Sequence, residues 1–147
     1  MKHLTAALAV AALVLAGCSG AGDGEVHSAD ATKSYVAEMI DYWDDHGADA
    51  AIRYYNSKDS TMASTYGAIF ETGTGIVLAH PWRSQLIGVP LPKFDVLQTQ
   101  PGDGGEWWSY VHESPVDGVR QLKHSWVVDH DGHSFVSGWY EAINPGG

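Results

Sequence analysis

Beyond residue 28 the apolar positions of this chain follow first one period and then another. Tyr35, Met39, Ile40 and Trp43 recur at helical spacing and predict a helix from Asp30 to about His46 that buries one stripe. Asp30 is the candidate cap and Gly47 the stop, with a further short helical turn over Ala48–Tyr55. From Ser64 the pattern shortens. Thr65–Glu71 and Thr74–His80 read as strands on either side of a Thr72-Gly73 turn, a hairpin signal. Pro81, Pro90 and Pro92 rule out a regular central strand through Leu91 and predict a long structured loop. After the Gly-rich stretch Gln98–Glu106 come three more strands, Trp107–Glu113, Val119–Val128 and Ser134–Glu141. A helix packed on about five antiparallel strands is an α+β layer arrangement.

The first residues follow another logic. Met1-Lys2-His3 precedes an apolar run from Leu4 to Leu15, then Ala16-Gly17-Cys18. A basic start, a short apolar core and small residues before a cut site describe a signal peptide over residues 1–17. The run falls short of the roughly 20 residues that a spanning helix needs. Leu15-Ala16-Gly17-Cys18 resembles a bacterial lipobox, so Cys18 is expected to become the lipidated first residue of a mature protein of the cell envelope, extracytoplasmic and held to the membrane through its lipid alone. Cys18 is the single cysteine, which leaves the mature chain without an internal disulfide. Residues 18–28 are small and polar, the composition of a flexible tether, and residues 29–147 form one domain of about 120 residues, enough for a single core.

Charge narrows the partners. The formal net charge is −10, with eight Lys and Arg against eighteen Asp and Glu, which argues against nucleic acid and against an anionic lipid surface. The early acids, Glu38, Asp41, Asp44, Asp45 and Asp49 among them, read as a solvated helix face.

Hairpin register places individual side chains. With Pro115-Val116-Asp117-Gly118 as a symmetric turn, Tyr110 lies opposite Lys123, Trp108 opposite Ser125 and His112 opposite Gln121. Opposed side chains stand about 5 Å apart on one face, and the other face carries the greasier Trp107, Val111, Leu122 and Trp126. Taking Asp129-His130-Asp131-Gly132 as a second symmetric turn puts Lys123 opposite Gly138 and Gln121 opposite Tyr140, with an unfilled space over the glycine. The half-polar face is therefore the expected ligand site. Lys123 supplies a positive charge, Tyr110 and Tyr140 supply hydroxyls, and Trp108 supplies a flat wall. His80 and Arg83 close over it from the loop, and Tyr66 lies on the preceding strand. An arginine matches a carboxylate bidentately. The plain structural alternatives are a solvent-facing Lys123, an Arg83 paired with Asp95 or Glu71, and a His80 that only bonds backbone.

Two stretches also carry a family resemblance. TGIVLAHPWRSQLIGVPL, from Thr74 to Leu91, is an apolar run ending in His-Pro, then Arg, then a Pro-bounded loop. WWSYVHESPVDGVRQLKHSWVV, from Trp107 to Val128, is an aromatic strand, a polar turn and a return strand with a central lysine, followed by Ser137-Gly138-Trp139-Tyr140. Together they resemble the single Cache domains, extracytoplasmic small-ligand sensor modules with a PAS-like sheet. The resemblance covers Ile69–Tyr140 and, more loosely, the helix before it. It implies a Cache fold whose His-Pro segment and Tyr/Lys strands border a pocket, with short organic acids among the ligands. Two features depart from the family. The segment Phe94–Gly105 is short and lacks an Asp-x-x-Gly turn, and the sequence stops at Gly147 without the membrane helix and signalling domain to which such sensors are usually joined.

Other chemistry finds less support. His124, Asp129, His130, Asp131 and His133 read as a hairpin turn with histidines beside it, so no metal is assigned. No Gly-x-Ser-x-Gly elbow, His-Glu-x-x-His helix or phosphate loop appears, and neither a cofactor nor catalysis is expected. The expectation is a lipid-anchored binding protein or sensor module for a small organic ligand, with a short carboxylate favoured. It hands that ligand, or its shape, to a sensor kinase, chemoreceptor or transporter. The competing expectations are an envelope interaction protein with a vestigial pocket and, behind it, a metal carrier.

Overall fold

The computed structural model describes residues 29–63, 65–91 and 102–143. The expected signal peptide, Cys18 and tether lie outside the described residues, as does most of Phe94–Gly105.

Helix α1 spans Ala29–His46 and buries Thr32, Tyr35, Val36, Met39 and Trp43, the stripe that the spacing predicts. Ile40 sits at its border. Asp30 lies inside the first turn, so its carboxylate faces the positive end of the helix dipole and the residue is not the cap. At Gly47 the chain breaks, and α2 runs from Ala48 to Tyr55 with Ala51 and Tyr55 buried.

Five antiparallel strands follow: β1 Gly67–Glu71, β2 Val77–Ala79, β3 Glu106–Glu113, β4 Arg120–His130 and β5 His133–Glu141. Their order across the sheet is β2-β1-β5-β4-β3. The α+β expectation is met. The second strand is shorter than Thr74–His80, because Thr72, Gly73 and Thr74 form the turn and Gly75 N–H donates back to Glu71 O at 3.0 Å. A register shift between Ile69 and Phe70 pairs Ile69 with Ala79 but Phe70 with Val77. That extra β2 residue sends Val77 and Ala79 to opposite sides of the sheet.

The β3–β4 register is the one expected: Tyr110 faces Lys123, Trp108 faces Ser125 and His112 faces Gln121. The β4–β5 register is not. Both strands extend into the supposed four-residue turn until His130 pairs with His133, leaving Asp131-Gly132 as a two-residue loop. Both residues have positive φ, 48° and 71°, the type I′ geometry whose twist matches the strands it joins. Lys123 therefore faces Tyr140 and Ser125 faces Gly138. Every partner moves by two positions, an even number, so each side chain keeps its expected face. The unfilled space over Gly138 disappears. A Cβ there would run into the carbonyl of His124, so this glycine serves close approach of the β4 backbone.

Two apolar layers result. On one face α1 and α2 pack Tyr35, Val36, Met39, Trp43, Ala51 and Tyr55 against Ile69, Ala79 and Phe135, with Trp126 and Val128 at the margin. On the other, Ala68, Phe70, Val77, Trp108, Val127 and Val136 meet Leu86 and Leu91 of the loop, which holds a single 3-10 turn at Ser84–Leu86. The chain is a sandwich of helices, sheet and loop.

Gly138→Ala is expected to destabilise by about 1–3 kcal/mol, the usual cost of overpacking, or roughly 4 °C of thermal midpoint per kcal/mol. Gly104→Ala, where nothing lies within 4 Å of a new Cβ, is expected to leave the midpoint unchanged. Thermal unfolding followed by circular dichroism checks both.

Candidate ligand site

The site grows from β4. Lys123 points to the loop side between Tyr110 of β3 and Tyr140 of β5 and is 7% exposed, so it does not face solvent. Its Nζ donates to Tyr66 Oη at 2.9 Å and lies 4.8 Å and 5.2 Å from the ring centroids of Tyr66 and Tyr140. Aromatic faces attract cations, and a hydroxyl oxygen takes one proton. Neither carries a full negative charge. The ion pairs found among the described residues are Arg83–Glu113, His124–Glu141 and His130–Asp44, and none involves Lys123.

Tyr66, which immediately precedes β1, is buried, and its hydroxyl meets that of Tyr140 at 2.9 Å. Burial pushes the Tyr66 hydroxyl up to about 12. Burial also raises that of Tyr140, against the opposing pull of Lys123. Both are therefore protonated at neutral pH. Two hydroxyl protons with one bond between them leave one proton to offer elsewhere. Tyr110 meets Ser125 Oγ at 3.3 Å. Trp108 is 8% exposed, and its indole N–H finds no acceptor among the described residues. A buried donor left unmatched in this way costs about 1–3 kcal/mol.

The loop supplies the rest. His80 follows β2, and its backbone N–H donates to Asn56 Oδ1 at 3.0 Å, while Asn56 Nδ2 donates to Leu78 O at 3.0 Å. Asn56 thus ties the end of α2 to the start of the loop. The His80 ring packs 5.0 Å from Tyr66, and its Nδ1 accepts from the backbone N–H groups of Trp82 and Arg83 at 3.3 and 3.2 Å. With Nδ1 accepting, the proton of the neutral ring is on Nε2. Burial first, then Lys123, Arg83 and His112, lower this histidine from 6.5 to about 3. Asp95 lies outside the described residues, and Arg83 does not pair with Glu71. Its guanidinium donates to Glu113 O at 2.8 Å and lies 3.9 Å from that carboxylate, strapping the loop to the end of β3. Its charge still reaches both His80 and Tyr66.

All seven residues expected at the site therefore share the loop side of the sheet or the loop above it. Sequence reasoning missed Asn56 and His112. The latter stacks on Tyr140 at 6.5 Å and meets Tyr110 edge-on at 5.8 Å. Its signal was present, since it shares the alternation of Trp108 and Tyr110. Ser125 was placed by register but not recognised as the partner of Tyr110. The histidines of β4 and β5 are engaged separately: His124 with Ser109 and Glu141, His130 with Asp44, and His133 with the Asp131 carbonyl.

Acid should loosen the fold through His80. Its folded-state value is depressed to about 3, whereas the unfolded ring titrates near 6.5. The unfolded chain alone gains this proton as pH falls between those values. The contribution is thus complete above about 6.5 and lost progressively toward 3, at up to roughly 1.4 kcal/mol per pH unit. His80→Asn, whose Oδ1 stands in for Nδ1, is expected to flatten the stability profile between pH 6 and 4 relative to the unaltered protein. A His80 ring that titrates above pH 5 by NMR would contradict this.

No family model matches the sequence, and no curated protein matches it. Solved structures do. A methyl-accepting chemotaxis protein from Vibrio parahaemolyticus aligns with a TM-score of 0.57 at 16% identity, over 76% of this chain and 86% of that one. A periplasmic sensor domain of a chemotaxis protein aligns with a TM-score of 0.52 at 20% identity, over 76% and 88%. At such identities the likeness is one of architecture. The chain shares the fold of these chemotaxis proteins, helices on one face of a five-stranded antiparallel sheet, as the resemblance led one to expect.

Proposed function

We propose that this protein is an extracytoplasmic sensor or binding module. Its ligand is a short organic carboxylate held on the loop side of the sheet, and its output passes to a separate signalling or transport partner. The observation that carries this reading is the Lys123 amine, buried among tyrosines with no acid paired to it among the described residues. Removing a charge from water is costly unless a counter-charge and hydrogen bonds replace the solvent. A carboxylate supplies both. It meets Lys123, the spare hydroxyl proton of Tyr66 and Tyr140, and His80 Nε2–H, with Arg83 adding field at the margin. Likeness to sensor domains of chemotaxis proteins supports the sensing role and the compartment. The lipobox-like Leu15-Ala16-Gly17-Cys18 supports a lipid anchor.

Thermal-shift screening with short mono- and dicarboxylates tests the reading. A ligand at 100 times its dissociation constant adds about 2.7 kcal/mol, a readily visible rise in midpoint. Lys123→Met is expected to act in two opposite ways. It stabilises the unliganded protein by about 1–2 kcal/mol and so raises its midpoint, because an uncompensated amine is replaced by an apolar chain of similar length. It also abolishes the shift given by carboxylates. A panel with no hits, or a Lys123→Met protein that still binds, rejects the site. The anchor is tested separately. Cys18→Ser is expected to move the protein from the membrane to the soluble fraction of cells that express the full chain, and an unchanged distribution overturns the lipidation.

A further inference from the structure

On the helix side of the sheet, near the first turns of α1, three tryptophans from three strands stand together. Trp107 and Trp126 are direct cross-strand partners, with ring centroids 5.1 Å apart and planes inclined at 51°. Trp139 of β5 meets Trp107 edge-on at 5.2 Å. α1 packs on β5, β4 and β1, and all three indoles remain half-buried. Lys33 of α1, itself exposed, places its ammonium 4.4 Å from the Trp126 ring centroid and 5.9 Å from that of Trp107.

We propose that this tryptophan box binds an organic cation of the quaternary ammonium class, and that Lys33 is its resident stand-in. Indole has the strongest cation-attracting face of the side chains, and two inclined faces around one charge form the arrangement that recognises methylated ammonium groups. The chain's own ammonium already marks the point where a cation is favourable. A primary ammonium is strongly hydrated, and Lys33 is exposed, so it returns to water readily. A quaternary ammonium loses less hydration and lays methyl groups on the rings. The wall is backed as well: a Cβ on Gly105 would overlap the six-membered ring of Trp126, so that indole rests directly on backbone. An acidic chain, with net charge −10, draws cations toward it. This site lies across the sheet from Lys123 and does not depend on the carboxylate reading.

The test is titration of the full chain with choline, followed by indole fluorescence, beside the neutral tert-butyl analogue of choline. Saturable binding of choline, with the neutral analogue weaker by about tenfold, is expected. Lys33→Ala is expected to tighten choline binding several-fold by vacating the box, whereas Arg53→Ala, which removes the same charge elsewhere, leaves it unchanged. Trp126→Phe, checked for an intact thermal midpoint, is expected to weaken it. Absence of saturable binding overturns the proposal, and so does equal affinity for the neutral analogue. A Lys33→Ala protein with unchanged or weaker affinity also overturns it, since Lys33 is then a clamp on the tryptophans and nothing more.

Discussion

Everything in this molecule depends on strict alternation along β4. Its odd-numbered residues from Lys123 to Val127 face the loop and its even-numbered ones from Leu122 to Val128 face the helices. β4 is bonded on both sides, to β3 and β5, so that assignment propagates across the sheet. A slip of one residue would exchange Lys123 and Ser125 for His124 and Trp126, burying histidine and indole nitrogen under the loop and presenting an amine to α1. The penalties on the two faces add, because neither layer can accept the other's side chains. The two-residue Asp131-Gly132 turn is the local device that excludes such a slip, since its paired positive φ values join the strands at one register.

This constraint explains which parts of the fold were legible in the sequence. Tyr110, Lys123 and Trp108 could be placed together because the β3–β4 turn has four residues and strand alternation does the rest. The partner of Lys123 could not. Asp129 and His130 look like turn residues, yet the Asp-Gly pair alone suffices for the turn, and the strands extend until His130 meets His133. The resulting error was even, so it changed a neighbour without changing a face. Gly138 was misread for a related reason. An absent side chain implies space only when no backbone approaches, and the His124 carbonyl does approach. Asn56 left no trace in any period, because its contacts at Leu78 and His80 join separate elements.

The helix side and the loop side solve opposite electrostatic problems. The loop side collects donors: an amine, tyrosine hydroxyls, an indole N–H without an acceptor among the described residues, and a histidine kept neutral by burial and by its cationic neighbours. Packing alone would favour apolar residues at such positions, and the core beside them is apolar. A buried amine without a counter-charge costs stability, which is the physical ground for the proposed site. The helix side instead collects π faces with a lysine over them. One strand thus carries a buried cation on one face and, on the other, an indole with a lysine over it.

The parts free to respond to a ligand follow from the same bonding pattern. β1, β4 and β5 each have two strand neighbours, so sliding any of them would break ladder bonds on both sides. The loop from Pro81 to Leu91 has no such ladder along its length. It is held by isolated bridges at Ile87 and Pro90, by Asn56 at its root and by the Arg83 strap to Glu113 near its start. Asn56 belongs to the helix layer, and Glu113 ends an edge strand. The loop is therefore the one described segment that touches the site, the helices and the sheet margin through side-chain bonds that can exchange one at a time. A ligand that draws Arg83 from Glu113 would act at the cheapest of these, since Glu113 is exposed at the end of an edge strand and water can replace the guanidinium at both its carbonyl and its carboxylate. On the proposed reading the rigid sheet would fix where a ligand sits, and the loop, tied to the end of α2 through Asn56, would carry its effect to the helix layer.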